Sequence, residues 1–143
     1  MINDKDRTDI LNIIIKSDGD FKPSLSSRVN LNEYASKLID NGVIITNSCN
    51  DKINALIGGY NNNEIAYISY LYVDDSTRGQ GISKKLLNDF IKTSNVNGNK
   101  SIRLTVRKES VAYYLYFSHG FHIINEFEYS DNETLGVMME LLL

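Results

Sequence analysis

The sequence predicts one α/β (α+β) domain, residues 1–143, in which about four helices flank a mixed sheet. Helical and strand-like segments follow one another in the order helix, helix, three strands, helix, strand, helix, two strands. At 42% hydrophobic and 23% charged residues, a chain of 143 residues can bury a sizeable core. A single proline and the lack of a repeat or polar linker favour one domain over two.

The first two elements are predicted to be helices joined by a polar loop at residues 21–28. Apolar residues recur at helical spacing over about residues 5–17, which predicts an amphipathic helix. The second helix has signals at both ends. Asn30 can cap its first turn, with Glu33 at the reciprocal position of a capping box, and Gly42 can close it.

Residues 42–73 are predicted to form three strands. Two apolar-rich runs, 42–47 and 52–60, flank a polar turn and therefore predict an antiparallel hairpin. Residues 64–73 are almost unbroken Ile, Ala, Tyr, Leu and Val, as in a strand buried on both faces. A polar turn over residues 74–77 ends this strand.

The rest of the chain is predicted to add two helices and three strands. Apolar residues at helical spacing between Ile82 and Ile91 predict a third helix. Residues 101–106 alternate apolar and polar, so one face of this strand meets the core. A fourth helix over about residues 110–118, which Ser110 can cap, is expected to stop at a left-handed Gly120. A closing hairpin at residues 121–127 and 135–142 follows.

Charge and composition exclude several classes of function. Fifteen Lys and Arg against 18 Asp and Glu give a net charge of −3, and no basic face is evident, so no nucleic-acid partner is expected. One cysteine, Cys49, excludes an internal disulfide and a zinc cluster of several thiolates. The longest apolar runs are too short to span a membrane. We therefore expect a cytoplasmic protein that is neither membrane-spanning nor secreted.

A glycine turn between the third strand and the third helix carries the clearest chemical signal. Gly79 and Gly81 allow a sharp turn and close approach of a ligand, so the amides of residues 79–83 can point at an anion. The helix dipole adds about 0.3–1 kcal/mol and each charge-assisted hydrogen bond roughly 1.5–3 kcal/mol. Such a turn suits a pyrophosphate.

Two other phosphate motifs do not fit this turn. A P-loop ends in Gly-Lys-Ser/Thr, whereas Gly81 is followed by Ile82 and Ser83. A dinucleotide fingerprint needs a third glycine at position 84, where Lys84 stands. If only the two glycines are considered, the turn can alternatively be a tight strand-to-helix connection that binds no ligand.

The segment Arg78-Gly79-Gln80-Gly81-Ile82-Ser83 resembles the acetyl-CoA-binding signature of the GNAT superfamily of N-acetyltransferases, with Ser83 at a position that is usually Gly or Ala. As in that family, a strand reading Leu71-Tyr72-Val73 precedes it. A second block also resembles the family, with Glu109 where asparagine is frequent. That block comprises Val106, Ala112, Tyr116, Gly120 and Phe121.

The resemblance implies transfer of an acetyl group from acetyl-CoA to an amine by direct attack in a ternary complex. It also implies a mostly antiparallel sheet with two parallel strands that splay, where the pantetheine arm pairs with main-chain groups of Leu71 and Val73. No metal is expected, because His119 and His122 lack a matched set of carboxylates. The implied cofactor-binding residues are Leu71, Tyr72, Val73, Arg78, Gly79, Gln80, Gly81, Ile82, Ser83 and Glu109.

Tyr116 is the candidate acid for the leaving thiolate. A phenol with a pKa near 10 and a thiol with a pKa near 8.5 make complete proton transfer uphill by roughly 2 kcal/mol, so a strong hydrogen bond is the expected role. Alternatively, Tyr116 is a core aromatic beside Ala112 and Leu115. No general base is assigned, although four glutamates are conceivable: Glu33, Glu64, Glu109 and Glu126.

The expected acceptor is a small-molecule amine such as an amino sugar or an antibiotic. There are two alternatives. The acceptor can be a protein amine, or the protein can be a regulatory module that binds acetyl-CoA without turnover. In the family, the loop that corresponds to residues 21–28 commonly covers the acceptor. Here Lys22 and Arg28 in that loop can meet a sugar or a phosphate, or the loop can be an ordinary solvated connector. A homodimer is possible on family grounds.

Overall fold

The computed structural model describes residues 2–21 and 23–143 and confirms the predicted order of helices and strands. Its helices are α1 (Asp4–Ser17), α2 (Leu31–Asn41), α3 (Ile82–Val96) and α4 (Val111–Ser118). The strands are β1 (Val43–Cys49), β2 (Lys52–Tyr60), β3 (Ile65–Val73), β4 (Ser101–Arg107), β5 (His122–Glu128) and β6 (Leu135–Leu142). Short 3₁₀ turns, at Asp18–Asp20, Leu25–Ser27 and Asp75–Thr77, were not predicted.

The predicted local signals at the helix ends are largely confirmed. The Asn30 side chain accepts a hydrogen bond from the Glu33 amide at 3.0 Å, and Ser110 caps α4 in the same way. Gly120 follows α4 with a φ of +93°. Gly42 closes α2 in an extended conformation rather than a left-handed one, because the chain passes directly into β1.

All six strands form one sheet in the order β1-β2-β3-β4-β6-β5. Every neighbouring pair is antiparallel except β3 and β4, which are parallel and joined by α3. A parallel pair needs a crossover connection, and α3 provides it. The mixed, mostly antiparallel sheet that the sequence and its family resemblance predict is therefore confirmed.

Each face of the sheet is covered by one pair of helices. On the first face, α3 and α4 bury residues such as Leu87, Phe90 and Tyr116 against β2, β3, β4 and β6. On the second face, α1 and α2 bury Ile10, Ile14 and Leu38 against β2 and β3. The second face of β4, β5 and β6 lies beyond these two helices.

A β-bulge at Ser69 was not predicted. Gly58 pairs with Tyr70 while Gly59 pairs with Ile68, so Ser69 is an extra residue on β3. One extra residue reverses the alternation of side chains in a strand. Ile68 accordingly packs in the core under α3 and α4, whereas Tyr70 and Tyr72 pack against α1 and α2.

The bulge coincides with the point where the two parallel strands part. Residues 65–68 of β3 pair with residues 101–104 of β4, and the pairing stops there. Beyond it, β3 continues to Val73 beside β2, and β4 continues to Arg107 beside β6. A bulge bends its strand and increases the twist, which turns β3 away from β4. The splay implied by the family resemblance is confirmed.

Candidate active site

A cleft of about 1150 Å³ enters the molecule where β3 and β4 part. Near the first face of the sheet it is lined by the glycine turn and by α4. Towards the second face it is lined by the loop between α1 and α2 and by Tyr129. Nine of the predicted site residues line it: Leu71, Tyr72, Val73, Arg78, Gly79, Gly81, Ile82, Ser83 and Tyr116.

The glycine turn has the backbone conformation that its sequence predicts. Gly79 and Gly81 have φ angles of +82° and +75°, in the left-handed region that only glycine enters without strain. A Cβ at either position would meet no atom within 4 Å, so the space beside the turn is open. Gly81 is the N-cap of α3 and has no side-chain cap.

The amides of this turn form no hydrogen bond within the described chain. Among residues 2–21 and 23–143, the amide groups of residues 79–84 have no hydrogen-bond acceptor. The amide of Arg78 reaches the Asp75 carbonyl at 3.4 Å, and that of Lys85 reaches the Gly81 carbonyl at 3.1 Å. Consecutive free donors at the positive end of a helix are an arrangement that suits an anion.

Side-chain contacts of Arg78 and Asp74 hold the approach to this turn. Arg78 donates from Nε to the Val73 carbonyl at 3.0 Å and pairs with Asp75 at 2.6 Å. Asp74 accepts hydrogen bonds from Ser76 and Lys16, which lower the pKa of its carboxyl. These contacts fix the turn to the end of β3 and to α1.

Main-chain groups of Leu71 and Val73 face the gap between the strands. The backbone amide of Asp74 donates a hydrogen bond of 2.8 Å to the backbone carbonyl of Asn54 in β2. Successive amides of a strand point to opposite sides, so those of Leu71 and Val73 point towards β4, with which they do not pair. An extended ligand segment can therefore add to this edge.

Tyr116 lies at the bottom of the cleft and is 5% exposed. Its ring packs on Phe121, with ring centroids 5.6 Å apart. Burial raises the pKa of Tyr116, and the nearby Tyr67 raises it further, so the phenol stays protonated at neutral pH. Tyr116 is thus both a core aromatic and a hydroxyl group at the cleft.

The cleft is also lined by hydroxyl-bearing residues that the sequence analysis did not single out. Tyr67 and Thr105 form a hydrogen bond of 3.1 Å across the two parallel strands. Tyr34 donates to the carbonyl of the bulged Ser69 at 3.1 Å and contacts its hydroxyl at 2.5 Å. Only the pairing of β3 with β4 and the position of the bulge bring these residues together.

Comparison with known proteins places this site in a family. The family model described as acetyltransferase (GNAT) domain matches residues 25–143, which is more than half of the chain. The chain belongs to the GNAT acetyltransferase family. No curated protein matches its sequence.

Solved GNAT structures have the same fold. The ribosomal-protein-S18-alanine N-acetyltransferase from Escherichia coli gives a TM-score of 0.79 at 20% identity over 98% of this chain and 89% of that one. An aminoglycoside 6'-N-acetyltransferase complexed with coenzyme A gives 0.78 at 14% identity, over 98% and 92% of the two chains. A GNAT acetyltransferase from Elizabethkingia anophelis with acetyl-CoA bound gives 0.67 at 21%, over 78% and 82%.

Two predicted residues of this GNAT domain lie away from the cleft lining. Gln80 is exposed at the tip of the turn. Glu109 has a left-handed φ of +63° and lines a second, open hollow with Lys108 and Glu133, and Arg107 lines both this hollow and the cleft. Left-handed backbone suits asparagine better than glutamate, so Glu109 adopts it at some cost in strain.

None of the four glutamates considered as a base lines the cleft in the described part of the chain. Glu64 pairs with Lys100 and Glu126 pairs with Lys108 on the surface. Asp20, which the sequence did not single out, is the acidic residue among the described residues that line the cleft. It follows α1 and lies close enough to Tyr70 and Tyr72 to raise their pKa values.

The loop between α1 and α2 contributes several residues to the cleft, including Phe21, Leu25 and Arg28. Asp18 braces it by accepting hydrogen bonds from the Ser26 amide at 2.8 Å and the Ser26 hydroxyl at 2.5 Å. These bonds lower the pKa of Asp18. The sequence-based suggestion for Lys22 concerns a residue outside the described ranges.

Residues 2–21 and 23–143 contain neither a membrane-spanning helix nor a metal-binding cluster. No helix in these ranges has the length and apolar character that crossing a membrane requires. No group of three or more His, Cys, Asp or Glu side chains is arranged to hold a metal ion in the same ranges.

Proposed function

We propose that this GNAT protein transfers the acetyl group of acetyl-CoA to the amine of a small molecule, by direct attack in a ternary complex. The observation that carries the proposal is the run of unpaired amides at residues 79–84, which opens onto the cleft between the splayed strands. A pyrophosphate would take the place of the water that solvates these donors, and the space beside Gly79 and Gly81 leaves room for it.

The residues present fit acetyl-CoA. The glycine turn has open space beside Gly79 and Gly81, and its amides would hold the pyrophosphate. The edge at Leu71 and Val73, which does not pair with β4, would hold the amide-bearing pantetheine arm. Two structurally similar GNAT proteins contain acetyl-CoA or coenzyme A, which supports this assignment. The thioester supplies an activated acetyl group.

The chain itself would contribute position and hydrogen bonds to the reaction. The amine nitrogen bonds to the acetyl carbon, the carbon–sulfur bond breaks with its electron pair on sulfur, sulfur gains one proton and nitrogen loses one. Tyr116 would donate a hydrogen bond to the leaving sulfur, and an amide near Leu71 would stabilise the carbonyl oxygen. Asp20 can accept the proton of the amine, directly or through water.

A small acceptor is favoured by the walls of the cleft. Beyond the splay, the space is bounded by the braced loop between α1 and α2 and by Tyr129. A protein amine is the second candidate, and the similar E. coli structure is an enzyme that acts on an alanine of a ribosomal protein. The two candidates are distinguished by which kind of acceptor, a small amine or a peptide, causes the protein to release coenzyme A from acetyl-CoA.

The test uses melting and turnover with a matched glycine control. Gly81→Leu and Gly98→Leu both place a side chain at a left-handed glycine with open space around it, at φ +75° and +84°. Each is expected to lower stability by about 1–2 kcal/mol. Gly98 lies at the other end of α3, so only Gly81→Leu should remove the stabilisation by acetyl-CoA, which is about 2.7 kcal/mol at 100 times the dissociation constant.

Release of free coenzyme A is then followed with a panel of small amines and peptides. Activity with small amines, lost in Gly81→Leu and kept in Gly98→Leu, supports the proposal. Stabilisation by acetyl-CoA without turnover on any amine would indicate the regulatory alternative. Equal stabilisation of both variants by acetyl-CoA would contradict the phosphate turn itself.

A further inference from the structure

The acceptor side of the cleft contains an aromatic ring that packs over a glycine of the sheet. A Cβ at Gly136 of β6 would lie 2.7 Å from a ring carbon of Tyr129 and 2.5 Å from a ring carbon of Phe127. Real Cβ atoms do not come this close to other atoms, so both rings occupy the space that the glycine leaves free. Tyr129 therefore has a defined position beside the cleft, which it also lines.

Two arginines flank the Tyr129 ring. Arg28, from the loop between α1 and α2, holds its guanidinium carbon 5.3 Å from the ring centroid. Arg107, at the end of β4, is the register partner of Gly136, and partners in an antiparallel pair share a face. Its side chain therefore projects on the face that the ring covers. Both cations lower the pKa of Tyr129, which burial raises.

Neither arginine is neutralised within the described chain. Ion pairs are formed by Arg7, Arg78 and Arg103, whereas Arg28 and Arg107 pair with no carboxylate of residues 2–21 and 23–143. Among the described residues that line the cleft, the cations number four, Arg28, Arg78, Lys84 and Arg107, against one acid, Asp20. A cleft lined mainly by one sign of charge concentrates ligands of the other sign.

The four cations lie at two different ends of the cleft, Arg78 and Lys84 at one end and Arg28 and Arg107 at the other. Arg78 and Lys84 belong to the turn and first helical residues that would meet the pyrophosphate. The side chain of Arg107 alternates with Leu104 and Val106, which pack under α3 and α4, so it projects on the opposite face of β4. Arg28 reaches the same face from the loop. These two cations are therefore placed for the acceptor rather than for the phosphates.

We propose that the acceptor is an amine that also carries an anionic group, a carboxylate or a phosphate, which Arg28 and Arg107 bind beside the Tyr129 ring. This inference rests on the proposed function, since it names the substrate class of the same site. Guanidinium groups bind both anions through paired hydrogen bonds. Amines with several positive charges and no anion would be repelled by the same two arginines.

The experiment compares amines that differ only in the anion. The pairs are tyramine and tyrosine, cadaverine and lysine, and glucosamine and glucosamine 6-phosphate, so that carboxylate and phosphate are tested separately. Each is titrated into the protein with coenzyme A by calorimetry, and each is assayed with acetyl-CoA for release of free coenzyme A. At least one anionic member is expected to bind about tenfold or more tightly than its partner.

Arg28→Gln and Arg107→Gln should each raise KM for the anionic amine by about tenfold, with little change in kcat, and neither should raise the KM of the partner that lacks the anion. Both arginines are exposed, so the core is unaffected. Arg7→Gln is the matched control, because Arg7 pairs with Asp40 on α2, away from the cleft. It should change none of these values.

The outcomes separate this inference from the proposed function. If amines without an anion bind and react as well as the anionic ones, or if both arginine variants behave like Arg7→Gln, the inference is wrong while acetyl transfer stands. If anionic amines bind through the two arginines but no amine releases coenzyme A, the binding site stands and the proposed transfer is wrong.

Discussion

At the scale of single residues, Tyr116 shows how burial prepares a hydroxyl group for one role. Its ring is 5% exposed, and burial raises its pKa above the ordinary value near 10. The phenol is then a poorer full proton donor to a thiolate, but it remains a neutral hydrogen-bond donor over the whole physiological range. This favours stabilisation of the developing thiolate rather than complete proton transfer before the carbon–sulfur bond breaks.

We predict that Tyr116→Phe lowers kcat on the order of 10²-fold, because the leaving sulfur loses its hydrogen-bond donor. The affinity for acetyl-CoA should change little, since the pyrophosphate and the pantetheine arm are bound elsewhere. Steady-state kinetics and the acetyl-CoA-dependent shift in melting temperature measure the two effects separately.

Tyr113→Phe is the control for Tyr116→Phe. Tyr113 is 8% exposed on the same helix but does not line the cleft, so its variant should keep parental kcat.

The pH profile gives a second readout of the role of Tyr116. Because the pKa of Tyr116 is raised, kcat should rise with pH as the amine deprotonates and show no fall below about pH 10. A parental kcat in Tyr116→Phe would remove the proposed role.

At the scale of elements, the bulge in β3 is the feature that creates the site. It turns Tyr70 and Tyr72 to the second face of the sheet and ends the pairing with β4 at Ile68. The Tyr34 hydroxyl on α2 bonds to Ser69, the bulged residue, and so links the helix to the bend. Burial raises the pKa of Tyr34 to about 12, so this bond persists in the folded protein to high pH.

We predict that Tyr34→Phe destabilises the fold by about 1 kcal/mol, or roughly 4 °C in melting temperature. The folded pKa lies above the unfolded value near 10, so the contribution of the phenol is complete below pH 10 and is lost as pH rises towards 12. The difference in melting temperature between parent and variant should therefore be constant at neutral pH and shrink above pH 10.

Tyr60→Phe serves as the comparison. The Tyr60 ring lies under Lys37, and its hydroxyl has no hydrogen-bond partner among the described residues, so this variant should melt within about 1 °C of the parent. If Tyr34→Phe is equally neutral, Ser69 does not depend on the tyrosine and the bulge is maintained by the strand register alone.

At the scale of the whole molecule, the sheet consists of two three-stranded halves joined by a short parallel seam. Among the described residues, strands β1 to β3 pair with strands β4, β6 and β5 in the sheet only through residues 65–68 and 101–104. Beyond the seam, β3 still pairs with β2 and β4 still pairs with β6. The gap between β3 and β4 can therefore remain open. The cleft and the unpaired amides are consequences of this arrangement.

Hydrogen exchange measured by segment should reproduce this division. Amides of residues 79–84 have no acceptor and should exchange at close to intrinsic rates in the free protein, while those of residues 65–68 and 101–104 are protected. Acetyl-CoA should slow exchange at residues 79–84 and at Leu71 and Val73. Gly98, whose amide already bonds to Asn95 at the far end of α3, should not respond. Strong protection of residues 79–84 without ligand would contradict the structure of the turn.

The local features of this protein were determined by its sequence. Hydrophobic periodicity located the helices and strands, Asn30 and Ser110 marked the starts of two helices, and two glycines predicted a left-handed turn before α3. Each of these signals depends on neighbours a few residues apart. The resemblance to the GNAT family rests on the same local segment and on the block around Tyr116.

Only the tertiary structure decided where the bulge lies and which side chains share the cleft. Nothing in residues 64–73 marks Ser69 as the extra residue, because a bulge depends on the register between two strands. Likewise, Arg28, Arg107 and Tyr129 are far apart in the chain and meet only because a loop and the ends of two strands converge. Local patterns determine backbone conformation, whereas the chemistry of a cleft depends on contacts between distant segments.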